Sequence, residues 1–239
     1  MDTYHIKKIG ERGKLTVWIV DGNAVRRDLD EEFTNFGEHF RFSCIPEYEL
    51  WIDQEKTSDE QKFFISHLLA EWKRMKKGDT YADAITYADR IEMAERTRAG
   101  DRQLVFSESG AVNLEHVHKK IIQTLPSGVN IWIVSGRLVR SAFYIDFTEG
   151  GHEFVYPTFV PKNEVWIDDD VEPEERPYVL LHELFERSRM AEGVPYDTGN
   201  ANDAHPAASA LEWKARHDGT LLKDELLRFG CTLPLTHEE

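Results

Sequence analysis

The segment Val17-Trp18-Ile19-Val20-Asp21-Gly22 recurs later in the chain as Ile131-Trp132-Ile133-Val134-Ser135-Gly136. Val25-Arg26 returns as Val139-Arg140, and Phe33-Thr34-x-x-Gly37-x-x-Phe40 returns as Phe147-Thr148-x-x-Gly151-x-x-Phe154. One residue further out of step, Pro46 matches Pro161, and Glu49-Leu50-Trp51-Ile52-Asp53 matches Glu164-Val165-Trp166-Ile167-Asp168. Leu69-x-Glu71-x-x-Arg74-Met75 then matches Leu184-x-Glu186-x-x-Arg189-Met190. Matches in one order, at a nearly constant offset and with tryptophans included, mark an internal duplication. A chain of 239 residues accommodates two domains of ordinary size, and the repeat divides it into 1–100 and 101–239.

Each copy opens with short β-branched and aromatic segments separated by Gly and Pro, which read as strands. In the first copy these are residues 14–20, 39–45 and 49–52; in the second they are 129–134, 141–147, 153–160 and 164–167. Helices follow. Ser58-Asp59-Glu60-Gln61 has the form of a capping box ahead of Phe63-Phe64-x-x-His67-Leu68-Leu69. In the second copy Pro173, Glu174 and Glu175 suit an opening turn, and a helix is expected from about Tyr178 to Glu192, stopped by Gly193. A second helix is expected over 81–98 and 204–217, and a last short one over 221–229. The fold class is therefore α+β: two tandem copies of a small module, each a few antiparallel strands followed by two helices. Between Tyr196 and Asp203 the second copy carries extra residues, Thr198-Gly199-Asn200-Ala201-Asn202, of turn-forming type, expected as a loop at the mouth of any site.

A net charge of −15 disfavours nucleic acid as a partner, because phosphates would be repelled. Solubility is the ordinary reason for such a surface; cation binding, or acidic mimicry of a nucleic acid, are narrower ones. Cys44 and Cys231 are the only cysteines, which excludes a disulfide framework and a thiolate zinc cluster and suggests a reducing compartment. The first residues lack the apolar core of a signal peptide, and no apolar run approaches membrane-spanning length. A cytoplasmic location, without membrane association, is the expectation.

The segment that carries chemistry is Leu180-Leu181-His182-Glu183-Leu184-Phe185-Glu186. Helical positions i and i+4 project from one face, so His182 and Glu186 can hold one ion together. Glu183 stands about 100° around the helix, within reach of a metal-bound water without being a ligand itself. A His and a Glu at this spacing more often form a surface hydrogen bond, but the apolar run Val179-Leu180-Leu181 implies a largely buried helix. Buried polar groups need partners, and an ion supplies them. His205, opening the next helix beside Pro206, is the candidate third ligand. Glu212, seven residues on, shares its face and is a candidate fourth ligand or a partner behind one. The small residues Ala207, Ala208, Ser209 and Ala210 would let the two helices approach and bring His205 to His182. Tyr196 reads as a core tyrosine or as an electrophilic hydroxyl near the site. An imidazole and carboxylate set suits zinc first, and also manganese or iron.

In the first copy His67, Glu71, Asp83 and Glu92 align with His182, Glu186, Asp203 and Glu212, but Leu68 stands for Glu183 and Ile85 for His205. The first copy has lost the candidate base and the third ligand together, and reads as a scaffold, lid or partner-binding surface.

At His182-Glu183-x-x-Glu186 the sequence resembles the zincin superfamily of metallopeptidases, specifically its small bacterial and phage-type members, over roughly residues 131–217. That resemblance implies His182, Glu186 and His205 as ligands, Glu183 as general base and a zinc-bound water as nucleophile acting on a protein or peptide substrate. Glu186 stands where those enzymes usually have histidine, and two histidines with one carboxylate also suit non-haem iron. A metal-dependent, peptidase-like hydrolase is thus the expected function. The alternatives are a non-catalytic interaction protein with a structural metal and an acidic mimic that blocks a nucleic-acid-binding protein.

Overall fold

The computed structural model of the chain describes residues 4–232; Met1–Thr3 and the residues after Thr232 lie outside that range. It is α+β and falls into two compact units. The first unit runs to Asn113 and includes Arg140–Asp146; the second comprises Leu114–Val139 and the chain from Phe147 onward. In this division the chain after the second long helix, up to Asn113, stays with the first unit.

In the first unit β1 (His5–Arg12) and β2 (Leu15–Val20) form a hairpin, followed by the short helix α1 (Gly22–Asp28), β3 (Phe36–Glu38) and β4 (Glu49–Asp53). Two long helices, α2 (Ser58–Met75) and α3 (Tyr81–Ala99), come next, then the one-turn α4 (Arg102–Val105). The second unit repeats the plan with β5 (His118–Thr124), β6 (Asn130–Val134), α5 (Gly136–Ala142), β7 (Gly150–His152), β8 (Glu164–Asp168), α6 (Arg176–Ala191) and α7 (Ala204–His217). It adds α8 (Gly219–Arg228). The C-terminal end of α5, from Arg140, groups with the first unit.

The sheets have orders β1-β2-β4-β3 and β5-β6-β8-β7. Two of the three pairings in each are antiparallel, as expected, while β2–β4 and β6–β8 are parallel. The parallel pair exists because a crossover, including α1 or α5, separates the two matching strands. The register is identical in both units: Trp18 faces Trp51, and Trp132 faces Trp166. A repeated clasp ties the edge strand to this pair. His5 bonds Glu49 (2.8 Å) and stacks on Trp18 (4.2 Å between ring centroids), while Trp51 donates to Glu49 (2.7 Å). His118, Glu164, Trp132 and Trp166 reproduce the arrangement at 2.9, 4.3 and 2.7 Å.

One face of each sheet is covered by the first long helix. In the first unit Leu15, Val17, Ile19, Leu50 and Ile52 pack with Phe64 and Leu68; in the second, Val129, Ile131, Ile133, Val165 and Ile167 pack with Leu180, Leu181 and Leu184. The alternation of inward residues on the strands, against helical spacing on α2 and α6, is what makes these two layers fit.

Several local expectations differ from the structure. Residues 39–45 and 153–160 form turns, not strands; the strand of that region is the three-residue β3 or β7 just before them. Residues 141–147 finish α5 and turn. Aromatic and β-branched content there serves packing around Phe33 and Phe147 rather than sheet pairing. The capping box does not form: Thr57, not Ser58, is the N-cap and makes no side-chain bond, and Gln61 donates to the Lys56 carbonyl (3.0 Å) instead of returning to Ser58. The long helices otherwise match, and α6 stops near Gly193, whose φ of 88° suits the left-handed turn that ends a helix. No helix among the described residues is long and apolar enough to cross a membrane.

Candidate metal centre

In the second unit α6 and α7 pack against each other, and the small residues Ala204 and Ala208 are fully buried between them. This close approach brings His182 and His205 together: His182 Nε2 lies 3.2 Å from His205 Nδ1. Glu186 Oε2 lies 2.9 Å from His205 Nδ1 and 3.6 Å from His182 Nε2. Ligands held tetrahedrally about 2.0–2.1 Å from a zinc ion are roughly 3.3 Å apart, so these three atoms sit at the separations of a tetrahedral face. The three residues predicted as ligands thus converge.

Glu212 takes a different place. Its Oε2 accepts from His182 Nδ1 (3.0 Å), on the far side of the ring from the triangle, and its Oε1 accepts from Arg216 (2.7 Å). Arg216 in turn donates to Glu175 (2.7 Å) at the start of α6. Glu212 therefore meets His182 at Nδ1 rather than beside Nε2, the position usual for a carboxylate behind a metal-binding histidine.

His152, at the end of β7, went unnoticed in the sequence. It is completely buried, and its Nε2 bonds Glu186 Oε1 at 2.9 Å. Together with Glu183 and Glu186 it makes a second group of donors that could share an ion, overlapping the first at Glu186. The one signal available was positional: His152 follows Gly151 as Glu38 follows Gly37, so both copies place a titratable residue there.

Glu183 points into the same interior. Its Oε2 is buried and has no hydrogen-bond partner. Space for it is made by Gly150, where a Cβ would lie 2.9 Å from Glu183 Oε1 and 3.0 Å from the Trp166 carbonyl oxygen. An unpartnered buried carboxylate is expensive, and such groups mark functional positions. Burial, reinforced by the nearby Glu186, pushes the Glu183 carboxyl up to about 8. Burial opposes charge on Glu186 too, but hydrogen bonds from His152, His182 and His205 outweigh it and hold that carboxyl well below the usual range. For His182 burial disfavours the cation, yet the bonds to Glu186 and Glu212 prevail and raise it well above its ordinary value. The donor set of two or three imidazoles with one ionised carboxylate matches a borderline divalent ion.

Tyr196 is half-exposed and stacks on His205, with ring centroids 5.0 Å apart, at the start of the predicted loop. Asp203 organises that loop, accepting from the Thr198 amide and hydroxyl (2.6 and 2.7 Å) and from the Asn200 amide. The loop is thereby tied to the first residue before α7, next to His205.

The first unit keeps the frame and lacks the centre. His67 bonds Glu71 (3.2 Å) and its Nδ1 lies 2.9 Å from Glu92, Arg96 bonds Glu92 (2.8 Å), and Arg96 reaches Glu60. These repeat His182, Glu186, Glu212, Arg216 and Glu175. Phe36, however, occupies the place of Gly150, its ring 4.7 Å from Phe64 and 5.0 Å from His67, and Leu68 is buried in the apolar core. Glu38 replaces His152 and lies beside Glu71; burial first, then that neighbour, raise it to about 8.

Comparison with protein-family models, curated proteins and solved structures returned no match.

Proposed function

We propose that the second unit is a metal-dependent hydrolase of the peptidase-like kind, with His182 Nε2, His205 Nδ1 and Glu186 holding one divalent cation, zinc in the first instance. The single observation that carries this reading is the meeting of those three donor atoms within 3.6 Å of one another, across two helices, beside the unpartnered carboxylate oxygen of Glu183. A cation bound there supplies Lewis acidity and a water that ionises near neutral pH. The chain's own groups do the rest. Glu212 and Arg216 hold the His182 ring with Nε2 forward, His152 fixes the second oxygen of Glu186, and Glu183 Oε2 is the group free to take a proton and return it to a leaving amine. Gly150 keeps open the space that carboxylate occupies. Protein or peptide is the proposed substrate class, and manganese or iron are the alternative ions.

The test is hydrolysis of a quenched-fluorescent peptide library by zinc-loaded protein. Glu183→Gln is expected to lower turnover about 10²–10⁴-fold while zinc stays bound. Zinc retention with wild-type turnover in Glu183→Gln would remove Glu183 from the chemistry. No turnover of any peptide by zinc-loaded wild type would favour the rival reading, a structural ion in an interaction protein.

A further inference from the structure

The two units also differ in what covers the first long helix on its Leu180 and Leu184 side. In the second unit α8 packs on α6: Leu222 and Leu226 of α8 and Cys231 just beyond it share one buried cluster with Leu180 and Leu184 of α6 and with Leu125 and Val129 at the β5–β6 turn. The end of α8 is pinned to that turn, Gln123 donating to the Gly230 carbonyl and accepting from the Thr232 amide (both 3.2 Å). Leu180 and Leu184 are consequently fully buried.

The aligned positions in the first unit are Ile65 and Leu69 on α2 and Leu15 at the β1–β2 turn. Ile65 and Leu69 are only partly buried. Between turn and helix lies an open groove of about 560 Å³, with Leu15, Leu69 and Trp72 as its apolar lining and Arg12, Lys14 and Lys73 around it. Ile65, Leu69 and Trp72 stand at i, i+4 and i+7 and make a stripe roughly 10 Å long, the length of two helical turns. The basic rim belongs to the open groove alone: the aligned turn Leu125-Pro126-Ser127-Gly128 has no charge. Three cations gathered at one apolar groove, in a chain of net charge −15, select an acidic occupant.

We propose that this groove of the first unit receives an amphipathic helix of a partner protein, one that presents two leucines four residues apart, as α8 does for the second unit, but flanked by acidic residues. The partner's leucines enter between Leu15, Leu69 and Trp72, and its carboxylates meet Arg12, Lys14 and Lys73.

The experiment uses the full chain and a fluorescein-labelled synthetic peptide of residues 218–232 carrying Lys223→Glu and Arg228→Glu, followed by fluorescence anisotropy. Saturable binding is expected, weakened about tenfold or more by the exposed pair Lys14→Glu/Lys73→Glu in the protein and abolished by Leu222→Ala/Leu226→Ala in the peptide. Leu69→Glu should also abolish it, with circular dichroism reporting whether that variant folds; the lysine pair decides the matter if it does not. Absence of saturable binding, or binding indifferent to the lysine pair or to the peptide leucines, overturns the proposal. A wild-type dimer in sedimentation that Lys14→Glu/Lys73→Glu disperses would give the groove to a second copy, and would overturn it too.

Discussion

The two units share a sheet order, a register, a His-Glu-Trp clasp and a buried chain of charges, and around the candidate centre they differ at four positions. Phe36, Glu38, Leu68 and Ile85 in the first unit are Gly150, His152, Glu183 and His205 in the second. The shared part is a buried His-Glu-Arg-Glu network: Arg96 bonds both Glu60 and Glu92, and Glu92 lies 2.9 Å from His67. The differing part is where the proposed chemistry would enter. Removing a phenylalanine ring, adding an unpartnered carboxylate and adding two imidazoles make sense together, because the ring would fill the space that the carboxylate needs.

The largest expected effect tests the shared part. Arg96 is fully buried between Glu60 and Glu92 and lies over the Phe63 ring at 4.6 Å. Arg96→Met leaves buried carboxylates short of a counter-charge, although Arg140 still reaches Glu60, and should cost about 3–5 kcal/mol in urea unfolding. Arg216→Met should do the same to Glu212 and Glu175. A cost below about 1 kcal/mol for either would separate the two networks and break the comparison.

Exchanging the differing residues sharpens it. Leu68→Glu places a carboxylate against Phe36 and the apolar core of the first unit and should destabilise by about 3 kcal/mol or more. Glu183→Leu removes the unpartnered oxygen and should stabilise the metal-free protein by roughly 1–3 kcal/mol while abolishing hydrolysis. Destabilisation by Glu183→Leu, measured in chelator, would show that the carboxylate is satisfied after all.

A smaller effect is expected behind the ligands. Glu212→Gln keeps the shape but weakens the hold on His182 Nδ1, and should lower zinc affinity about 10–100-fold in competition titrations. Unchanged affinity would make Glu212 a purely structural partner of Arg216.

The smallest belongs to the first unit. Glu38, beside Glu71 and with His39 3.3 Å away, has its carboxyl raised from 4.5 to about 8. A raised folded-state value contributes stability that is fully present below 4.5 and is lost as pH rises through about 8. Glu38→Gln stays neutral throughout, so its melting temperature should gain on wild type as pH rises from 5 to 9. A difference that does not change with pH would contradict the burial of an uncharged Glu38.

Much of this was legible in the residues. The duplication could be read directly, since rare tryptophans recur in register, and α2, α3, α6 and α7 follow from apolar spacing bounded by Gly, Pro and Thr. The encounter of His182 with His205 was foreseeable from the small residues of α7, although it is Ala204 and Ala208 that are fully buried, while Ala210 is exposed. The edge strands β1 and β5 were not: Lys7, Lys8 and Glu11, like Lys119 and Lys120, face solvent and hide the alternation. His152 was missed because its neighbours, rich in aromatic residues, resemble a strand and are in fact turns. The inward turn of Glu60 depends on Arg96, a partner far along the chain that no local cap rule contains.

The central claim is that one unit holds a cation and the other does not. Metal analysis of zinc-equilibrated, desalted protein addresses it directly, with His205→Ala and His67→Ala measured alongside. The account predicts about one zinc per chain in the wild type, none in His205→Ala and an undiminished amount in His67→Ala. A wild type without zinc, or zinc that survives His205→Ala and leaves with His67→Ala, would contradict it.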